Sequence, residues 1–182
     1  MGLPLNEILV DYICETFIET GTECGNGIRQ MLMFGDIVTE IHSIELDESY
    51  FKKAKQNFSQ IEKINLYNGN SLEILPTILE KIEENRAIIW LDAHDNSHAI
   101  PSPLMDELDI IKKHSHPNNT ILIDDMSQVG NPNSWGRYLS INSIKDALLE
   151  INPQYIITEV KSRYELSRRK ESHILIAKPH EK

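Results

Sequence analysis

The sequence predicts an α/β fold built on seven strands, mostly parallel with the last strand antiparallel. Three observations predict it. Short apolar, partly β-branched runs alternate with longer amphipathic stretches, the pattern of parallel strands joined by crossover helices. The last two strand-like runs are separated only by the polar segment SRYELSRRKES, too short for a crossover helix, so the final strand should run antiparallel beside its predecessor. The 182 residues, 40% hydrophobic and 25% charged with 8 Gly and 8 Pro, suffice for a single domain over 1–182 and suit neither a disordered nor a collagen-like chain.

The strands expected in order are FIET at 17–20, the second half of IVTEIHSIEL at 37–46, INLYN at 64–68, AIIWLD at 87–92, TILIDD at 120–125, YIITEV at 155–160 and HILIAK at 173–178. Helices are expected over Leu5–Cys14, Gly27–Phe34, Glu48–Phe58, Leu72–Ile82, Leu104–Lys113 and Ile141–Ile151. The third shows the reasoning. Tyr50, Phe51, Ala54 and Phe58 recur at helical spacing and form one face for a sheet, while Lys52, Lys53, Lys55 and Gln56 face water. Asn131-Pro132-Asn133-Ser134-Trp135-Gly136 is the long turn region, and there is no internal repeat or linker.

Composition excludes several classes. No run of about 18 apolar residues is present, and MGLPLNEILVDYI lacks the basic and apolar regions of a signal peptide. Asn6 stands where a myristoylation signal has Ser or Thr. Cys14 and Cys24 cannot form a multi-bridge scaffold or a zinc ribbon, so a reducing, cytoplasmic setting is expected. The net charge of −10 repels phosphate backbones and argues against general nucleic-acid binding. That charge is uneven: residues 161–182 hold seven basic and three acidic residues, a net +4, against 11 basic and 25 acidic, or −14, in the first 160.

The chemistry-bearing motifs stand at strand ends. FIETGTECGNGI runs from a strand ending at Glu19 through Gly21, Gly25 and Gly27 into a helix, so backbone can approach a ligand and a helix N-terminus can face its polar groups. Its spacing is not the dinucleotide G-x-G-x-x-G. Glu45 ends the second strand 26 residues after Glu19, where a carboxylate accepts hydrogen bonds from a ribose diol. Asn68-Gly69-Asn70-Ser71 ends the third strand; Ser71 reads as a helix N-cap, and Asn70 and Ser71 can edge an adenine ring. Trp90-Leu91-Asp92 and Ile123-Asp124-Asp125 end the fourth and fifth strands.

In order and spacing these five motifs resemble those of class I S-adenosylmethionine-dependent methyltransferases over nearly the whole chain, most closely the metal-dependent O-methyltransferases of the catechol and macrocin type. The resemblance implies a three-layer, Rossmann-like methyltransferase sheet. It also implies a methionine site at Glu19, Gly21, Thr22 and Gly25, a ribose site at Glu45, and further cofactor contacts at Asn70, Ser71 and Asp92. Asp92, Asp124 and Asp125 would bind Mg²⁺ or another divalent cation. Two departures stand out: Glu23 replaces a glycine of the commoner pattern, and no lysine base follows the fourth strand, where the chain reads Asp92-Ala93-His94-Asp95-Asn96-Ser97-His98.

The activity so implied is methyl transfer from S-adenosylmethionine to oxygen of a small molecule or sugar. His94 is the candidate proton acceptor with Asp95 behind it, since an imidazole titrates near pH ~6.5. Two rival readings are a methyltransferase-fold interaction protein without activity, and a metal-dependent hydrolase. The latter rests on Asp92-Ala93-His94, which resembles a ureohydrolase manganese site but has Asn96 where that site has an acid. Trp135 and Tyr138 either line a substrate pocket or anchor their loop. His114 and His116 read as helix-end charges and His42 and His173 as structural. Arg163, Arg168, Arg169 and Lys170 form a basic segment suited to an anionic substrate group or an acidic partner. The expected partners are thus a small, anionic substrate and neither nucleic acid nor membrane, with a homodimer left open.

Overall fold

The computed structural model describes residues 14–82, 86–94, 102–114, 116–162 and 172–180. The expected helix at Leu5–Cys14, Asp95 and the basic segment 163–170 lie outside or almost outside these residues. Seven strands form one sheet: β1 (Thr16–Thr20), β2 (Glu40–Glu45), β3 (Ile64–Asn68), β4 (Ala87–Leu91), β5 (Thr120–Ile123), β6 (Ile156–Ser162) and β7 (Ser172–Lys178). Their order is β3-β2-β1-β4-β5-β7-β6. β1 to β5 pair in parallel, whereas β7 is antiparallel to both β5 and β6. The expected antiparallel ending is therefore present, with β7 inserted between its predecessor and the rest of the sheet.

The helices are α1 (Asn26–Leu32), α2 (Glu48–Phe58), α3 (Ser71–Lys81), α4 (Leu104–His114) and α5 (Ile141–Ile151), with a 3-10 turn at Met126–Gln128. Strand residues alternate between two apolar cores, because successive side chains leave a strand on opposite faces. Ile18, Ile89, Leu91, Ile121, Ile123 and Leu175 meet α3, α4 and α5 through residues such as Leu75, Leu79, Leu108, Ile111 and Leu148. Phe17, Ile41, Ile88, Leu122 and Ile176 meet α1 and α2 through Ile28, Met31, Ala54 and Phe58. Helix, sheet and helix thus make three layers, and each fully buried Ile or Leu contributes about 1.5–3 kcal/mol. Parallel strands buried on both faces read as continuous apolar runs, which is why AIIWL and TILI were legible as strands. Among the described residues no helix is long and apolar enough to cross a membrane.

Candidate functional site

β1 lies between β2 on one side and β4 on the other, so the direction of winding reverses at the β1–β4 boundary. In open α/β sheets the crevice outside the carboxyl ends of the strands at that point is where ligands bind. The fold brings the carboxyl ends of β3, β2, β1, β4 and β5 to this one edge. Glu19, Glu45, Asn70, Asp92 and Asp124, which the sequence singled out separately, therefore share one edge of the sheet.

The first turn is held from beneath. Gly21 and Thr22 both donate their amides to the Ile44 carbonyl, at 2.9 and 3.2 Å. Ser43, paired with Glu19 in the β1–β2 register, donates its hydroxyl to Glu19 Oε1 at 2.6 Å and lies 2.5 Å from the Thr22 hydroxyl. The Glu19 carboxylate is 2% exposed and tucks under α1, where a Cβ on Gly27 would stand only 1.9 Å from Oε2. Gly21, at φ +90°, faces Asp92: a Cβ there would stand 2.5 Å from the Asp92 carbonyl oxygen. Gly25 has a different explanation from the one its sequence suggested. A Cβ at Gly25 would meet the Phe58 ring at 2.4 Å, so this glycine admits a core aromatic from α2 to the loop. Glu23, the departure from the glycine pattern, adopts the left-handed conformation itself, at φ 44°.

That turn aims the Glu23 amide at Glu45. The amide donates to Glu45 Oε2 at 2.7 Å, and the Asp47 amide donates to Oε1 at 2.7 Å. Both oxygens are oriented by backbone, and a carboxylate with about four acceptor positions retains two for a diol. Next to it, Leu46 is 58% exposed. The sequence reading passed over Leu46 and Ser43; Ser43 was detectable as the small polar break in the otherwise apolar end of IHSIE. At the end of β3 the cap is Asn70, not Ser71: the Asn70 side chain accepts from the Leu72 amide at 3.0 Å, and Ser71 is the first helical residue. Asn70 has the extended backbone, φ −73° and ψ 130°, that an N-cap requires.

Asp92 and its neighbours form an acidic edge without a complete ligand set. Burial raises the Asp92 pKa well above the ordinary carboxylate range, and Asp124, Asp125 and Glu19 raise it further. Yet no group of three His, Cys, Asp or Glu side chains among the described residues is placed to hold a metal ion. The expected Asp92–Asp124–Asp125 set is therefore close in space without forming a three-ligand group among the described residues. The backbone is one reason: Asp125 turns out of the strand at φ 52°, and its amide donates to Asp124 Oδ1 at 2.7 Å.

His94 also departs from its expected role. Its ring stacks on Trp135, with centroids 3.7 Å apart and planes 12° from parallel, and its Nδ1 lies 3.4 Å from the Ser102 hydroxyl. Burial pushes its pKa down to about 3, so the ring is neutral near pH ~7 and lacks the near-neutral pKa of a general base. Trp135 is 7% exposed and belongs to the core, so it anchors its loop, while Tyr138 is 86% exposed with Arg137 4.8 Å from its ring centre. His94→Ala is accordingly expected to lower unfolding stability by about 0.5–1.5 kcal/mol, the value of an aromatic pair, which denaturant titration measures. His42 and His173 are structural, His42 against Tyr67 at 3.0 Å and His173 against Glu159 at 3.1 Å.

Two buried acids give the site a pH signature. Burial raises Glu19 to about 8 and Glu107 to about 7, from an ordinary 4.5. Each folded-state pKa exceeds its unfolded value, so the fold binds the extra protons. Their stability contribution is whole below pH ~4.5 and is lost as pH rises through ~7 and ~8. The denaturant midpoint is therefore expected to fall between pH ~5 and pH ~9, and a midpoint that rises over this range would contradict the burial of these acids.

No protein-family model matches the chain, and no curated protein sequence matches it. Solved structures do. The chain is similar to the O-methyltransferase TomG from Streptomyces achromogenes, solved with SAM, at TM-score 0.67 and 14% identity over 97% of this chain and 78% of that one. It is also similar to an O-methyltransferase from Bacillus cereus, solved with SAH, at TM-score 0.64 and 15% identity over 98% and 82% of the two chains. Spermidine synthase from Thermotoga maritima gives TM-score 0.65 and 11% identity, over 92% of this chain and 55% of that one. The chain has the Rossmann-like fold that these O-methyltransferases share with spermidine synthase, the fold that its strand-end motifs predicted.

Proposed function

We propose that this chain binds S-adenosylmethionine at the β1–β4 switch point and transfers its methyl group to an oxygen of a small molecule. The observation that carries the reading is Glu45, whose two carboxylate oxygens are fixed by the Glu23 and Asp47 amides at the end of the second strand. A ribose diol suits the remaining acceptor positions, the exposed Leu46 offers an apolar face to a purine, and Asn70 stands at the next strand end. Glu19, Gly21, Thr22 and Gly25 shape the turn on the methionine side, and Asp92 closes the crevice from β4. The solved SAM and SAH complexes of similar fold support the choice of cofactor.

Methyl transfer is an in-line displacement at the methyl carbon, so the protein's contribution is chiefly orientation of nucleophile and sulfonium. His94 is a neutral ring stacked on Trp135, not the base. Calorimetric titration with S-adenosylhomocysteine tests the reading: micromolar binding is expected, and repeating it with Mg²⁺ and with chelator tests the cation. Intact-mass analysis of acceptors incubated with S-adenosylmethionine then identifies the group transferred. Absence of S-adenosylhomocysteine binding to the folded protein would reject the proposal. The anionic character proposed for the acceptor rests on the charges of residues 163–170, and the cytoplasmic setting on cysteine usage alone.

A further inference from the structure

Helix α4 buries Leu104, Leu108 and Ile111 against the sheet, and Glu107 lies on the same buried stripe. A helix face packed on a sheet carries apolar residues at such positions, so an acid there needs a separate reason. Glu107 is 0% exposed, and neither of its carboxyl oxygens has a hydrogen-bond partner of full geometry among the described residues. The Thr20 hydroxyl, equally buried, is unpartnered in the same sense. The hydroxyls that face the carboxyl are those of Thr20 and Ser71. They come from opposite parts of the crevice: Thr20 stands between Glu19 and Gly21 in the first turn, and Ser71 follows the Asn70 cap at the start of α3. Two segments arriving from different strands meet on one buried acid that a third, α4, carries.

We infer that Glu107 is a positioning residue that ties the Glu19-Thr20-Gly21 turn to the start of α3 and so sets the spacing between the methionine and adenine ends of the cofactor crevice. The inference rests on the cofactor reading above. Burial holds the carboxyl protonated up to a pKa of about 7, with Asp106 on the same helix the one charge that adds to the shift. A protonated carboxyl is both donor and acceptor, so it can join the two hydroxyls in a chain. A leucine would fill the same space and leave both without a partner. Any shift at Thr20 reaches the crevice directly, because the Thr20 carbonyl accepts the Asp92 amide at 3.0 Å.

The test compares Glu107→Leu and Glu107→Gln with the wild type by calorimetric titration of S-adenosylhomocysteine and by denaturant midpoint. Glutamine keeps a donor and an acceptor and is expected to bind within about threefold of wild type. Leucine is expected to bind about tenfold more weakly or worse with a denaturant midpoint close to that of the wild type, since removing an acid from an apolar stripe offsets the two hydroxyls left without a partner. A merely structural role would move stability and affinity together. A folded leucine variant with wild-type affinity overturns the inference. Should that variant not fold, the affinity ratio of wild type to Glu107→Gln decides. It is expected to fall between about pH 6 and pH 9 as Glu107 loses its proton, and a constant ratio overturns the inference. Glu19 on β1 and Asp92 on β4 are present in both proteins, so their titration enters both sides of that ratio; the Lys112–Glu150 pair joining α4 to α5 is solvent-exposed. If the wild type itself does not bind S-adenosylhomocysteine, the failure lies with the cofactor reading.

Discussion

Gly21→Ala is expected to destabilise the protein by about 2–5 kcal/mol and to abolish measurable cofactor binding. Two effects add. A left-handed φ costs an L-residue about 1–2 kcal/mol, and crowding a packed site costs about 1–3 kcal/mol more. Gly21 sits at φ +90°, and its added Cβ would stand 2.5 Å from the Asp92 carbonyl oxygen and 2.9 Å from its carbon. These are backbone atoms of β4's end, so relief requires β1 and β4 to separate at the switch point. That movement would displace the turn whose Gly21 and Thr22 amides are bound to Ile44. Gly35 is the internal control, because it also has positive φ, +55°, but a Cβ there meets nothing within 4 Å. Gly35→Ala should show the conformational penalty without the clash. Thermal or denaturant unfolding of the two variants separates the terms, and equal losses at both positions would remove the close approach of β1 to β4 as an explanation.

The second large effect is expected at Glu45. Its replacement by alanine removes an acceptor from two backbone amides at once, those of Glu23 and Asp47, each at 2.7 Å. Hydrogen bonds to a charged group contribute about 1.5–3 kcal/mol each, so the loop carrying Glu23 loses one of its ties to β2, leaving those of Gly21 and Thr22 to Ile44. The ribose diol loses its acceptor as well, and S-adenosylhomocysteine affinity should drop about ten- to a hundredfold. Glu45→Gln should fall between, since it offers one acceptor oxygen but turns an NH₂ toward one of the two amides. Titration of variants whose folding has been checked by denaturant midpoint gives the answer. Wild-type affinity in folded Glu45→Ala would reject the ribose role while leaving the loop-ordering role in place.

The fold was legible because its signals are local. INLYN, Glu48–Phe58 and Ile141–Ile151 coincide with β3, α2 and α5 to the residue, since β-branched runs and helical spacing are properties of a few neighbouring positions. The strand-end acids were legible for a related reason: a parallel sheet places the ends of successive strands on one edge whatever the details of packing. Functional meaning was less uniform. Ser71 and Asn70 are both good caps by composition, and only the backbone angle at position 70 selects one.

What sequence alone determined is the α/β class, the antiparallel ending and the alignment of Glu19, Glu45, Asn70, Asp92 and Asp124 along one edge. Tertiary structure decided the rest, through contacts between residues far apart in the chain. Phe58 claims Gly25, Trp135 stacks on His94 while burial lowers the imidazole pKa to about 3, and α4 carries Glu107 to Thr20 and Ser71. A side chain's type can be read from its letter, but its protonation and its neighbours depend on which distant atoms exclude water from it, and no local pattern encodes that exclusion.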